Sequence, residues 1–147
     1  MKSKAPETLA NYEVCLGVSL RKASRVVSRI YDQKLTEVGL KGTQFAILRA
    51  IGLLGEANNS LLQSVLVLDQ TTLSRNLKPL LRDGYLESHP GEDRRQKVLT
   101  LTPEGVKKYH AAFVVWKQAQ DLVKAQLGEH VSQQVLDVTQ VVIDLHQ

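Results

Sequence analysis

Two short segments with β-strand character interrupt a chain whose other apolar residues recur at helical spacing. Residues 85–89 and 97–101 are the two segments, and Pro90, Gly91 and a charged stretch through Arg95 lie between them. Because proline and glycine favour turns and β-compatible runs on either side favour paired strands, this pattern predicts a hairpin with a charged tip. The sequence therefore predicts a mainly α fold with one small β-hairpin.

The residues before the hairpin predict four helices. Apolar residues spaced by three to five positions over 16–35 predict the first helix, which we expect Gly39 to end. Polar residues that favour helix N-caps mark the starts of the next three, Thr43, Ser60 and Asp69. Gly84 is well placed to end the fourth helix, because glycine adopts the left-handed conformation common at helix C-termini.

Two more helices are predicted after the hairpin. Residues 102–104 form a helix start, with a threonine cap, a proline at the first helical position and an acid near the positive helix end. We expect this helix to end near Gly128. The last segment repeats branched apolar residues every three or four positions, at Val131, Val135, Val138, Val142 and Leu145. These residues are either monomer core or, as the heptad-like spacing favours, a dimer interface.

A tight turn at 67–69 joins the third and fourth helices into a helix-turn-helix candidate. The face of the fourth helix opposite its leucines carries hydroxyl, amide and cationic side chains: Gln70, Thr71, Thr72, Ser74, Arg75, Asn76 and Lys78. Such groups donate and accept hydrogen bonds at base edges in the DNA major groove, and Arg75 suits guanine or phosphate. The same composition also fits the solvated face of any amphipathic helix, so this segment alone leaves both interpretations open.

The hairpin tip adds basic residues directly after the helix-turn-helix. Arg94, Arg95 and Lys97 are placed where a wing reaches the DNA backbone or minor groove, whose narrow form attracts guanidinium groups. Asp93 is better explained as an intramolecular brace that orients an arginine than as a DNA contact. Together the two elements predict a winged helix-turn-helix that reads DNA with residues from about 60 to 101.

The chain length and composition fit one domain of an ordinary soluble protein. With 147 residues, we interpret 1–147 as a single domain, with a winged helix-turn-helix core at about 40–102 and dimerisation helices at about 9–38 and 103–147. A net charge of +4 permits an acidic partner without requiring one. No apolar run is long enough to cross a bilayer, and residues 1–13 lack the apolar core of an export signal. One cysteine suits a reducing compartment, so we expect a cytoplasmic protein.

Enzyme motifs are absent from the sequence. It has no phosphate-cradling glycine loop, no HExxH, no GxSxG and no cysteine–histidine pair at a recognisable spacing. The four histidines lack ligand-like spacing: His89, His110, His130 and His146. We therefore expect no catalytic residues, metal or cofactor. The remaining rival to a DNA-binding function is a winged helix that serves as a protein-interaction module.

Several motifs together resemble the multiple-antibiotic-resistance regulator (MarR) family over nearly the whole chain. They are residues 21–25, 31–32, 39–45, 70–77, 83–86, 91–95 and 99–105. The Asp-x-Arg wing motif, Asp93 and Arg95, followed by Leu-Thr-Pro-Glu-Gly is specific in combination. The resemblance implies a triangular homodimer with intertwined terminal helices, recognition helices in successive major grooves and Arg95 in the minor groove. It further implies a repressor that a small-molecule or oxidant signal releases from an inverted-repeat operator.

The chain departs from the family pattern at three positions. Gln63 replaces a usual small alanine, and Val67 lies where a glycine or similar turn residue is common. Pro79 lies inside the recognition helix, where it removes the bond to the Arg75 carbonyl and should kink the helix. We expect the kink to lie beyond the base-reading turns.

Two further groups are candidates for sensing a signal. Cys15 lies early in the first helix and is either a redox sensor, as in some members of the family, or a small buried residue. The first helix also carries four basic residues, Arg21, Lys22, Arg25 and Arg29. Three interpretations are open for them: a solvated helix face, contacts with acids of a partner subunit, or the lining of a pocket for an anionic effector. The family resemblance implies a small aromatic or phenolic effector.

Overall fold

The computed structural model of the chain describes residues 13–146. Residues 9–12, the start of the predicted N-terminal dimerisation helix, lie outside this range. So do residues 1–12 of the segment for which we expect no export signal. Within it, six α-helices and one two-stranded sheet follow the predicted order: α1 (Leu16–Leu35), α2 (Gly42–Leu54), α3 (Asn59–Leu66), α4 (Gln70–Arg82), β1 (Leu86–Pro90), β2 (Lys97–Leu101), α5 (Pro103–Leu127) and α6 (Glu129–Ile143). Short 3₁₀ turns follow α1 at Thr36–Val38 and α6 at Asp144–His146. The prediction of a mainly α fold with a hairpin is confirmed.

The start of α2 depends on a residue of another helix. Thr43 was expected to cap it, but α2 begins one residue earlier and this prediction is wrong. The Asp32 carboxylate of α1 accepts a hydrogen bond from the Gly42 N–H at 2.6 Å. The Gln44 side chain in turn accepts a bond from the Lys41 N–H at 3.0 Å. Because these groups satisfy backbone donors at the helix start, a Thr43 cap is not needed.

The caps of α3 and α4 are local. Ser60 was expected to cap α3, but Asn58 does so, since its Oδ1 accepts the Leu61 N–H at 2.8 Å. Asp69 caps α4 as predicted and accepts the Thr72 N–H at 2.7 Å. Both caps place a short side-chain oxygen opposite the third backbone N–H of the helix.

The hairpin is antiparallel, with Leu86 opposite Leu101 and Pro90 opposite Lys97. Its second strand also pairs with Ala57, two residues before α3, because Ala57 and Leu99 exchange backbone hydrogen bonds of 3.1 and 2.8 Å. The hairpin is therefore joined to the helix-turn-helix as well as to the helices that flank it in sequence.

The hydrophobic core lies between α1–α4, the hairpin and α5. Its fully buried large side chains come from the end of α1 and from α2, α3 and α4: Leu35, Ile47, Leu48, Ile51, Leu62, Leu73 and Leu80. Leu61 and Val65 of α3 and Leu81 of α4 are exposed. Among residues 13–146, no helix is long and apolar enough to span a membrane.

Candidate nucleic-acid interface

The turn between α3 and α4 has a left-handed residue at Val67. Its φ and ψ are both 52°, and it is the one non-glycine residue with positive φ in residues 13–146. The backbone N–H groups of Val67 and Leu68 both bond to the Gln63 carbonyl, the second at 3.0 Å. These bonds hold a conformation that a β-branched residue rarely adopts, so a glycine is not required at this turn.

Asp69 ends this turn and begins α4 with a charged cap. Hydrogen bonds from Thr72 lower the pKa of the Asp69 carboxyl. The carboxylate is favoured at this position because it lies at the positive end of the helix dipole. The first turn of α4 is thereby held in a defined orientation.

The buried and polar faces of α4 separate cleanly. Leu73, Leu77 and Leu80 are buried against the core. Residues spaced by three or four positions share one helix face, and the exposed face opposite the leucines carries Gln70, Thr71, Ser74, Arg75 and Lys78. Five of the seven polar residues predicted on this face of α4 thus lie together on an open surface.

Thr72 and Asn76 are the exceptions, since both are half-buried. The Thr72 backbone N–H bonds to Asp69, and its carbonyl accepts a bond from the Asn76 side chain at 2.8 Å. Thr72 therefore contributes to the structure of the first two turns and presents less of its side chain than its neighbours.

Pro79 lies within the last turns of α4, which continues to Arg82. The Pro79 carbonyl accepts a bond from the Asp83 N–H at 2.9 Å. Proline has no N–H, so Pro79 cannot bond to the Arg75 carbonyl one turn earlier. Pro79 itself lies beyond the first two turns, which carry most of the exposed polar residues. The helix continues in spite of this loss because its leucines remain packed on both sides of Pro79.

The tip of the hairpin is organised by hydrogen bonds within residues 91–96. The Asp93 carboxylate accepts the backbone N–H of Arg95 at 3.1 Å. The Gln96 N–H donates to the Asp93 carbonyl at 2.9 Å, and the Gly91 N–H donates to the Gln96 carbonyl at 2.8 Å. The Asp93 carboxylate thus contacts the backbone of Arg95 and not the Arg95 guanidinium group.

The basic side chains of the tip point into solvent. Arg94, Arg95 and Lys97 are exposed, and none of them forms an ion pair within the part of the chain that the structure describes. Arg75 and Lys78 of α4 also lack an acidic partner within that part. Their charges are therefore available to an anionic ligand.

A junction that the sequence analysis did not predict joins the end of α4 to β1 and α5. The buried Thr102 hydroxyl donates to the Gly84 carbonyl at 2.6 Å and accepts the Gly105 N–H at 2.9 Å. Its own N–H bonds to the Tyr85 carbonyl at 3.1 Å. Gly84 has a φ of 77°, which confirms it as the stop after α4. In the sequence, the Thr-Pro-Glu helix start indicated only that Thr102 caps α5 and not that it also bonds to Gly84.

A cavity of about 430 Å³ lies beside the core, between α1, α2, the turn after α3 and α5. Its walls include Tyr31, Asp32, Arg49 and Trp116. The Arg49 guanidinium lies 4.7 Å from the centre of the Trp116 ring. Burial raises the pKa of the Tyr31 hydroxyl, which donates a hydrogen bond to Gln120.

The basic face of α1 does not line this cavity. Arg21, Lys22, Arg25 and Arg29 are exposed, and Arg49 of α2 supplies the guanidinium in the cavity wall instead. Cys15 precedes α1 as its N-cap, where its sulfur accepts the Val18 N–H at 3.5 Å. The thiol is exposed, so the interpretation of Cys15 as a small buried residue is wrong.

Comparison with known proteins agrees with the winged helix. A family model described as a winged helix DNA-binding domain matches residues 40–105. The HTH-type transcriptional regulator YwoH of Bacillus subtilis (strain 168) is 28% identical over 90 residues, which cover 61% of this chain and 66%, just under two thirds, of that protein. The multiple antibiotic resistance protein MarR of Salmonella typhimurium is 30% identical over 103 residues, which cover 69% of this chain and 72% of that protein.

A solved structure extends the likeness over most of the chain. The transcriptional regulator MOSR of M. tuberculosis, crystallised in complex with DNA, has a TM-score of 0.77 and 30% identity, and the match covers 91% of this chain and 100% of that one. The sequence motifs, the winged helix that they form and these relatives all indicate the same family. The chain belongs to the MarR family of winged helix-turn-helix transcription regulators.

Proposed function

We propose that this protein is a sequence-specific DNA-binding repressor that reads its operator with α4 and the hairpin wing. The observation that supports this most directly is the exposed polar and cationic face of α4 beside a wing with three cations that form no ion pair with any residue of 13–146. A helix fits the major groove of B-DNA, and hydroxyl, amide and guanidinium groups read its base edges. Repression follows from steric occlusion of the promoter. We also propose that the protein acts in the cytoplasm.

The exposed residues divide into two roles. Gln70, Thr71, Ser74 and Arg75 lie on the first two turns of α4 and contact bases, with Thr72 contributing at the groove edge, while Lys78 contacts phosphate. In the wing, Arg95 enters the minor groove, whereas Arg94 and Lys97 contact the backbone. Asp93 braces the tip by accepting the Arg95 N–H. Base contacts set sequence preference, and phosphate contacts supply most of the salt-dependent affinity.

Selection of bound duplexes from a random DNA library tests this proposal. The protein should enrich one inverted repeat whose half-sites lie about 34–36 Å apart, one helical turn. Arg75→Ala should relax preference at one base pair, at a cost of about 1–3 kcal/mol, whereas Arg95→Ala should weaken binding to all sequences. Absence of enrichment, together with salt-independent binding, would instead support a protein-interaction module.

The inverted repeat follows from a proposed homodimer. None of the residues of α6 is buried, and its seam is open to solvent: Val131, Val135, Val138, Val142 and Leu145. Phe113 of α5 and Leu20 of α1 are also exposed, by 39% and 42%. Apolar faces of this extent on a monomer mark an interface. A second copy of the chain covers them, since a two-fold axis pairs each seam with itself.

The cavity beside Trp116 supports release by a small aromatic or anionic effector. Its walls are mainly apolar, and Arg49 places a cation over the indole ring. The volume of about 430 Å³ lies within the range of small-molecule sites. Because the cavity is formed by α1 and α5 together with α2, an occupant contacts both the proposed dimer helices and the DNA-binding core.

Trp116 is the single tryptophan of the chain, so its fluorescence reports on the cavity directly. Titration with a panel of hydroxybenzoates should change this fluorescence and lower affinity for the selected duplex over the same concentration range. Arg49→Gln should weaken both responses in parallel. A fluorescence change without any loss of DNA affinity would contradict a role of this cavity in release.

Oxidation of Cys15 is the second proposed signal. The exposed thiol precedes α1, which contributes to the cavity and to the proposed dimer interface. A single cysteine responds through sulfenic acid or a mixed disulfide with a small thiol. Hydrogen peroxide should weaken binding of the wild type to the selected duplex and leave Cys15→Ser unaffected. A wild type that peroxide does not change would remove this signal from the proposal.

A further inference from the structure

The wing is attached to the start of α3 at two levels. At its base, Ala57 and Leu99 exchange two backbone hydrogen bonds, and Ala57 is 3% exposed. Nearer the tip, the Asn58 side-chain nitrogen lies 3.3 Å from the Gln96 side-chain oxygen and donates to it. The backbone pair anchors the hairpin to the core, and the side-chain pair reaches further out, toward the residues proposed to contact DNA.

One amide group makes both contacts of Asn58. Its Oδ1 accepts the Leu61 N–H and caps α3, while its Nδ2 donates to Gln96. A primary amide has both an acceptor and donors, whereas a carboxylate only accepts and a serine hydroxyl is too short to reach the wing as well. Asn58 is therefore suited to hold α3 and the wing at the same time.

Gln96 transmits this contact to the tip. Its backbone N–H bonds to the Asp93 carbonyl and its carbonyl accepts the Gly91 N–H. Asp93 in turn accepts the Arg95 N–H through its carboxylate. A continuous series of hydrogen bonds thus runs from the cap of α3 to the backbone of Arg95. It borders a groove of about 300 Å³ between α3 and the wing.

We propose that the Asn58–Gln96 pair is a positioning latch that holds Arg95 at the distance from α4 that simultaneous contact with the two DNA grooves requires. The proposal rests on the DNA-binding function proposed above. The latch keeps the wing ordered before DNA binds, so less conformational freedom is lost on binding. Asn58 and Gln96 act through Arg95 and are positioning residues.

The test compares operator affinity and thermal unfolding of the full-length variants Asn58→Ser, Gln96→Ala and Arg95→Ala. Serine caps helices about as well as asparagine, so Asn58→Ser removes the latch and keeps the cap. The same change at the exposed Asn59, for which no side-chain bond is formed within the described residues, is the matched control. The probe is the duplex selected from the random library, at one low salt concentration.

Loss of one exposed hydrogen bond predicts that Asn58→Ser and Gln96→Ala each weaken binding by about two- to tenfold. The same bond also stabilises the free protein, so the melting temperature should fall by no more than about 5 °C. Base preference should not change, and Asn59→Ser should bind as the wild type does. The Asn58→Ser/Gln96→Ala double variant should be no weaker than either single variant. In the Arg95→Ala background, Gln96→Ala should have no further effect.

Three results would overturn the latch. They are wild-type affinity of both single variants, additive losses in the double variant, or an undiminished effect of Gln96→Ala in the Arg95→Ala background. In each of these cases a weakened Arg95→Ala protein still supports the DNA-binding wing. An Arg95→Ala protein that binds normally contradicts the wing assignment itself, so the two failures are distinguishable.

Discussion

Replacement of Gly105 by alanine is expected to destabilise the protein, although alanine is the better helix former. Gly105 lies in the first turn of α5, directly against the segment that joins α4 to β1. A Cβ at this position would lie 2.0 Å from the Tyr85 carbonyl oxygen and 2.9 Å from its carbon. Both atoms belong to the backbone, so no side chain can rotate away to relieve the clash.

The magnitude follows from opposing terms. Tyr85 has to move by roughly 1 Å, and such overpacking typically costs about 1–3 kcal/mol. The movement also breaks the 3.1 Å bond from the Thr102 N–H to the Tyr85 carbonyl, which is worth about 0.5–1.5 kcal/mol. The helix propensity of alanine returns about 0.5–1 kcal/mol. The net loss is about 0.5–4 kcal/mol, or a melting temperature lower by about 5–10 °C at the middle of that range.

Urea and thermal unfolding followed by circular dichroism measure this loss at one fixed protomer concentration, because the stability of a dimer depends on concentration. Gly17→Ala is the matched control, since it also changes a glycine in a first helical turn. Its Cβ would lie 3.8 Å from the Cys15 sulfur, an ordinary contact, and we expect stability equal to or above that of the wild type. A Gly105→Ala protein as stable as the wild type would refute the reasoning from backbone packing.

Three further changes test separate parts of the molecule. Hydrogen bonds from Thr72 lower the pKa of Asp69 below its ordinary value of 3.8. The Asp69 carboxylate therefore stabilises the fold fully above that pH, and this stabilisation is lost as the pH falls through the lower pKa of the folded state. Asp69→Asn cannot titrate in this range, so its free energy of unfolding should fall less steeply at acid pH than that of the wild type, and an equal fall would contradict this. Val138→Asp should raise the dissociation constant of the proposed dimer at least tenfold in sedimentation experiments, because it buries an unpaired charge. Leu53→Asp, at an exposed residue of α2, should not. A dissociation constant that Val138→Asp leaves unchanged would exclude this seam. Thr102→Val leaves the buried Gly105 N–H and the part-buried Gly84 carbonyl without their side-chain partner and should cost about 1–3 kcal/mol. Thr102→Ser should recover most of this loss; equal losses would show that the hydroxyl is not the cause.

The elements that were predicted correctly depend on short-range interactions. Helical spacing of leucines placed α4, and the Asp69 cap contacts an amide three residues away. Gly84 and Thr102 were identified for the same reason, since a left-handed stop and a hydroxyl cap each act within one helical turn. Five exposed polar residues on α4 followed directly from the position of its buried leucines.

The predictions that were wrong involve partners distant in sequence. Thr43 does not cap α2, because the Asp32 carboxylate ten positions earlier bonds to Gly42. Ser60 was a different case, since Asn58 is an equally favoured cap residue and composition alone did not separate the two.

The sequence alone determined the hairpin between helices, the polar face of α4 and the charged composition of the wing. Each of these depends on periodicity or on hydrogen bonds that span a few residues. Only the tertiary structure showed that the wing is bonded to the start of α3 through Ala57 and Asn58, and that the cation beside Trp116 comes from Arg49. These contacts join residues 38 to 67 positions apart, and their distances depend on how the helices pack rather than on any local pattern.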